Sequence, residues 1–228
     1  MSTEEKFKSI LLTTLPVMAG YIFLGIAFGL LVRTGGHPWW YPVVMSLFIY
    51  SGALEFAAVP LLSAAFDPLG SFFLSLLVSA RHLFYGLPML KKYRDTGTVR
   101  PFLIFGLTDE TFSILSTVDP PEGMKPKLFY LGVTLLDFIY WNLGTLLGSF
   151  FGSLIPETVK GLDFALTALF IVLFLEQLKK EKGKISGFTG LLASAAVLIL
   201  AGADNMIPVS MVVIILLLIV ERRVIHHD

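Results

Sequence analysis

Leu69-Gly-Ser-Phe-Phe-Leu-Ser-Leu-Leu-Val-Ser-Ala-Arg-His-Leu-Phe-Tyr-Gly-Leu-Pro-Met89 is an apolar stretch of 21 residues with Arg81 and His82 at its middle. At about 1.5 Å of rise per helical residue it is long enough to cross the roughly 30 Å hydrocarbon core of a bilayer. An arginine at that depth costs about 2.5–3.5 kcal/mol on insertion scales, and such residues usually serve a function. The stretch predicts a membrane span built around a polar site.

The rest of the chain agrees with a membrane setting. Of 228 residues, 55% are hydrophobic and 15% charged, the mean hydropathy is +0.80, and the apolar residues fall in long blocks. This composition predicts an all-α, polytopic integral membrane protein. The 17 basic and 17 acidic residues lie mostly between the blocks, which argues against nucleic acid as a partner. With no cysteine there is no disulfide framework, Fe–S cluster or thiolate metal site. The first block, Leu11 to Val32, is longer than a signal-peptide core and reads as a retained span. The polar connections are too short for a soluble domain, so residues 1–228 are expected to form a single transmembrane domain.

Eight apolar segments can be marked: 11–32, 41–66, 69–89, 101–115, 128–151, 162–178, 188–203 and 206–220. A full crossing needs roughly 20 residues, which leaves 101–115 short. Lysine and arginine in the loops discriminate between topologies. If all eight segments cross, ten basic residues lie inside and six outside, with the Lys91-Lys92-Tyr-Arg94 cluster on the wrong side. If 41–66 and 101–115 enter the membrane and return, the count becomes fourteen inside and only Arg33 and Lys160 outside. The second arrangement gives about six full transmembrane helices, two short re-entrant or broken segments entering from opposite faces, and both termini in the cytoplasm. The alternative for 41–66 is one long tilted helix.

Each proposed break has a local cause. Ser51-Gly52-Ala53 precedes Glu55 in one segment, and Gly106-Leu-Thr108-Asp109-Glu110-Thr111 is polar in the other. Irregular backbone at membrane depth survives where protein or a water-filled cavity satisfies it. Two such breaks of opposite sense are compatible with an inverted repeat, and both point to a cavity.

The intramembrane ionisable set is Glu55, Arg81, His82, Asp109, Glu110 and Asp137, with Asp163 at the start of its own segment. Buried charges must pair, neutralise or face water, and the surplus of carboxylates fits a proton relay. Glu55 and His82 are the candidates for proton coupling. Arg81 is either a substrate ligand or a permanent partner of one carboxylate, and His82 is either a proton acceptor or a hydrogen-bonded core residue. Tyr85 lies on the same helical face as Arg81 and His82, while Asp137, Tyr140 and Trp141 share another, with Asn142 adjacent. A carboxylate and a phenol facing a cavity suit an ammonium group. Asp163 fits a helix N-cap better than a ligand. Thr108 and Thr111 stand ready to cap a broken helix end. Gly144, Gly148 and Gly152 form a stripe of small residues, repeated by Gly25 and Gly29, which predicts close helix packing within the chain or in a higher oligomer. No metalloprotease, nucleophile-elbow or phosphate-loop motif is present, and no spacing supports a metal site, so neither an enzyme nor a cofactor is expected.

Gly20-Tyr-Ile-Phe-Leu-Gly25-Ile-Ala-Phe-Gly29, Ser51-Gly-Ala-Leu-Glu55-Phe, Ala80-Arg-His-Leu-Phe-Tyr-Gly86, Leu107-Thr-Asp-Glu-Thr-Phe112 and Leu162-Asp-Phe-Ala-Leu-Thr-Ala-Leu-Phe170 occur in that order. Together they resemble the AzlC family, the large subunit of branched-chain amino acid exporters. The resemblance runs from about residue 10 to 220, and the pairing of Arg-His-x-x-Tyr with Thr-Asp-Glu is its specific part. It implies a secondary transporter in the prokaryotic cytoplasmic (inner) membrane. The expected cargo is leucine, isoleucine and valine, with methionine a further candidate, exported on the proton gradient together with a small AzlD-type membrane subunit. Glu55 departs from the family, which often has glutamine there, and Ala80 replaces a frequent asparagine.

On this reading Arg81 binds the substrate carboxylate through its bidentate fork. Asp109, Glu110 or Asp137 faces the ammonium, Phe and Leu side chains accommodate the aliphatic chain, and Tyr140 and Tyr85 complete the substrate-binding set. Rival readings are a non-transporting assembly subunit and a channel for a small polar solute.

Overall fold

The computed structural model describes residues 2–65, 67–79, 81–152 and 187–200 with isolated positions between 164 and 217, the side chains of residues 77, 81 and 84 excepted. Among the described residues every regular element is helical. In chain order they are α1 (Thr3–Thr34), α2 (Trp40–Phe48), α3 (Gly52–Ser63), α4 (Pro68–Ser79), α5 (Arg81–Lys92), a 3₁₀ stretch (Arg94–Val99), α6 (Arg100–Phe105), α7 (Asp109–Thr117) and α8 (Pro126–Phe151), followed by α9 (Gly187–Leu200). The chain forms two compact units, residues 1–165 and 166–228. In the second, Ala193 and Val197, one turn apart on α9, are buried. All that follows lies in the first.

α1 starts at a reciprocal cap: the Ser2 hydroxyl accepts the Glu5 N–H, and the Glu5 carboxylate accepts the Ser2 N–H. Its 32 residues extend about 48 Å, and the 26 residues of α8 about 39 Å. Both helices are long and apolar enough to cross a membrane. They run parallel, Ile10 meeting Gly132, Gly25 meeting Gly144, and Gly152 meeting Arg33. A Cβ on Gly25 would sit 2.7 Å from the Trp141 carbonyl oxygen, and one on Gly144 would sit 2.6 Å from that of Ile22. Gly29 and Gly148 face backbone in the same way, at Thr145 and Ile26. The stripe of small residues therefore lets two backbones touch, which larger side chains would prevent.

The segment 41–66 is broken in the structure. After α2, Tyr50 takes a left-handed conformation (φ 44°) and Ser51 is extended (φ −145°, ψ 96°), so that α3 starts afresh at Gly52. α2 descends along α8: Trp39 meets Phe150, Ser46 bonds Asn142, and the Tyr50 ring lies 4.8 Å from that of Phe138. α3 then returns, Glu55 reaching Trp141 and Phe56 reaching Phe28. Trp40 and Tyr41 at the start of α2 share the wall of a 780 Å³ groove with Leu61 and Leu62 at the end of α3. The two short helices thus form a hairpin.

The segment 101–115 breaks at Gly106-Leu107-Thr108. Leu103 of α6 and Leu115 of α7 pack in one buried cluster with Ile10, Met89, Tyr93 and Phe129, and the Lys92 ammonium donates to the Leu115 carbonyl oxygen at 2.5 Å. Both ends of this element therefore lie at the N-terminal end of α8, while its turn climbs to Thr134 and Asp137. It is a second hairpin, opposed to the first. Their tips meet where Tyr50 and Phe105 lie 6.0 Å apart, both beside Phe138.

The stretch 69–89 is helical as α4 and α5 on either side of residue 80. Phe23, Phe48, Leu83 and Leu87 are 69–77% exposed, a surface suited to lipid and too apolar for water.

Candidate functional site

The two hairpin tips bring three acidic side chains to one stretch of α8. Glu55 is fully buried. Its carboxylate accepts the Ser51 N–H at 3.0 Å and the Trp141 indole N–H at 3.1 Å from each oxygen. Gly52 allows this approach, since a Cβ there would lie 2.8 Å from the Trp141 ring. The N-terminus of α3 and an indole together hold the carboxylate, as a helix end with its open N–H groups favours negative charge.

At the second tip Thr108 caps α7, its hydroxyl oxygen accepting the Thr111 N–H at 3.3 Å. The Tyr21 hydroxyl of α1 stands 2.6 Å from Thr108 Oγ1 and donates to Glu110 Oε2 at 2.7 Å. Thr111 Oγ1 donates to Asp137 Oδ2 at 2.6 Å. Asp137 is fully buried, and its other oxygen, Oδ1, meets no donor among the described residues. Loss of the cap is expected to be measurable: Thr108→Ala should lower unfolding stability by about 1–2 kcal/mol while Thr108→Ser stays near wild type, read from thermal melts in detergent.

The sequence candidates distribute unevenly over this arrangement. Glu55, Glu110 and Asp137 meet at the tips, and Asp109, half-buried, is the first residue of α7. Tyr140 shares the face of Asp137, yet its hydroxyl lies 3.1 Å from Thr14 Oγ1 and ties α8 to α1. His82 and Tyr85 stand on α5 with rings 4.9 Å apart, and Tyr85 stacks on Phe112 of α7 at 5.5 Å. The His82 Nδ1 lies 3.1 Å from the Ser79 carbonyl oxygen. Arg81 is the first residue of α5, and its side chain lies outside the described residues, as does Asp163. Gly25, Gly29, Gly144, Gly148 and Gly152 line the α1–α8 contact. Among the described residues no group of three His, Asp or Glu side chains is placed to hold a metal ion.

Two residues at the tips escaped the sequence reading. Tyr21 lies in a span that reads as packing only, yet a phenol among apolar neighbours is itself a signal of a buried polar contact. Tyr50 precedes the Ser51-Gly52 step that marks the break, and it is buried. A bulky residue with positive φ stores roughly 1–3 kcal/mol of backbone strain, and such residues concentrate at functional sites.

Residues 16–155 match the family described as AzlC protein. That stretch contains both hairpins and all the residues that meet at their tips. The chain belongs to the AzlC family. It is 46% identical over 205 residues, 90% of this chain and 81% of the relative, to a Bacillus subtilis protein named branched-chain amino acid transport protein AzlC. A Helicobacter pylori membrane protein is 36% identical over 92% of both chains. The inner membrane protein YgaZ of Escherichia coli is 28% identical over 83% of both. No solved structure matches this AzlC-family chain. The names of its relatives and its own long apolar helices identify it as a membrane protein.

Proposed function

We propose that this AzlC-family chain is a secondary transporter that exports branched-chain amino acids, leucine, isoleucine and valine with methionine a further candidate, across the prokaryotic cytoplasmic membrane. The observation that carries the reading is the meeting of two opposed hairpins at buried carboxylates. A transporter places broken elements and polar groups at the bilayer midplane in this way. The substrate class comes from the relative named as a branched-chain amino acid transport protein.

The topology follows six full spans, two re-entrant hairpins and cytoplasmic termini. Parallel α1 and α8 require that both hairpin segments cross or that neither does. With 6 and 9 helical residues, α6 and α7 would extend only about 23 Å even end to end, short of the hydrocarbon thickness. This supports return of both segments.

Arg81 takes the substrate carboxylate, and Asp109, Glu110 or Asp137 faces the ammonium. Protonation of Glu55 or His82 shifts the balance between inward-open and outward-open states, which a ligand moves only through its differential affinity for them. A small AzlD-type membrane subunit completes the exporter.

The test is efflux of isotope-labelled leucine from cells co-expressing chain and partner. Efflux is expected to saturate with substrate and to collapse with the proton gradient. Arg81→Ala should reduce it at least about tenfold, the scale of one lost charge-assisted contact. No saturable efflux from wild type would overturn transport, and full efflux by the variant would remove Arg81 from the substrate site.

A further inference from the structure

The buried polar atoms at the hairpin tips that have no hydrogen-bond partner among the described residues include Asp137 Oδ1 on α8 and the Tyr50 and Ser51 hydroxyls at the turn between α2 and α3. Asp137 is fully buried and Tyr50 only 3% exposed. The Tyr50 ring is held against Phe138, the neighbour of Asp137, and against Phe105 of the opposing hairpin. Its hydroxyl lies within electrostatic reach of Asp137, Glu110 and Glu55.

Buried polar atoms are nearly always satisfied, so an unmet carboxylate oxygen and an unmet phenol within electrostatic reach of each other suit one shared ligand. Ionised carboxylate oxygens only accept, and a phenol oxygen also accepts. A cationic donor would satisfy an ionised carboxylate oxygen and a phenol oxygen together, and three acidic side chains lie within its electrostatic reach. Glu55 already accepts from an amide and an indole, and Glu110 Oε2 accepts from Tyr21. Asp137 Oδ1 meets none among the described residues.

We propose that Asp137 Oδ1 and the Tyr50 hydroxyl form the docking point for a primary ammonium group, that of the transported amino acid. The assignment rests on reading the chain as an amino-acid carrier, and it adds Tyr50, from the first hairpin, as a ligand. An ammonium has three N–H donors, and both orphaned oxygens accept one. The last carbonyls of α2, just before Tyr50, lie at a helix end that favours positive charge. Because Tyr50 belongs to one hairpin and Asp137 to the helix between them, the ammonium bridges two parts of the chain. Its arrival and departure are thereby coupled to the position of the first hairpin.

The experiment measures thermal stabilisation of the chain, co-purified with its AzlD-type partner in lipid nanodiscs, by three probes. These are leucine, 3-methylbutylamine, which lacks the carboxylate, and 4-methylpentanoate, which lacks the ammonium. Tyr50→Phe keeps the ring and its packing, and Asp137→Asn keeps a polar group for Thr111. Each variant is expected to weaken leucine and the amine by about tenfold to a hundredfold, the scale of a hydrogen bond to a charged group, and to leave the acid unchanged. If leucine binds wild type and both variants alike, the ammonium site is wrong while the transport reading stands. Equal weakening of all three probes would mean a collapsed pocket and would also overturn the site. If wild type binds no leucine, the carrier reading and the site fall together.

Discussion

Gly148→Val is expected to lose most of its folded population in detergent. Its Cβ would be driven into the Ile26 carbonyl, part of a helix backbone that cannot rotate away as a side chain could. Overpacking typically costs about 1–3 kcal/mol, and a backbone clash belongs at or above the top of that range. Gly29, which meets the Thr145 carbonyl oxygen, should behave alike. Gly20 supplies the control on the same helix, for it is exposed and has open space where a Cβ would go. Gly20→Ala should leave the melting temperature unchanged or raise it, since alanine is the better helix former by up to about 1 kcal/mol. Size-exclusion profiles and melts of the three variants check the result, and a stable Gly148→Val would mean that α1 and α8 separate at little cost.

The second large effect is expected at Trp141. Trp141→Phe retains an aromatic ring against Tyr21 and Phe28 and removes the indole N–H from Glu55. A buried carboxylate is left with the Ser51 amide alone. The loss of a hydrogen bond to a charged group corresponds to about 1.5–3 kcal/mol of stability. Glu55→Gln removes the charge that needs the donor, so the double variant should be more stable than Trp141→Phe by itself. Denaturant melts of the four proteins form a cycle. Additive effects would show that the indole and the carboxylate are not coupled.

The sequence carried the breaks well because their chemistry is local. Glycine after serine in one segment and a polar Thr-Asp-Glu in the other leave a helix no reason to continue, and the structure interrupts both there. The glycine stripes were equally legible as packing, since a small residue every fourth position signals close approach whatever the partner. What could not be read was which helix meets which. That α8 runs parallel to α1, and that Trp141 serves Glu55 while Tyr21 serves Glu110, depends on contacts between residues 86 to 126 positions apart. Tyr140 illustrates the limit. Helical spacing places it beside Asp137, but the hydroxyl goes to Thr14, and spacing along one helix holds no information about the other. Tyr50 was missed for a related reason: its importance lies in a left-handed backbone and an unmet hydroxyl, neither of which is visible in residue order.

The meeting of the two hairpin tips at Phe138 has an electrical consequence. Each hairpin enters from its own end and stops at the rings of Tyr50, Phe105 and Phe138. Under the proposed re-entrant topology, water following each hairpin to its tip would concentrate the membrane voltage across these side chains. A unit charge carried past them would then experience about 2.3 kcal/mol per 100 mV within a short displacement. A transport cycle of the proposed kind would sense membrane potential as well as solute concentration.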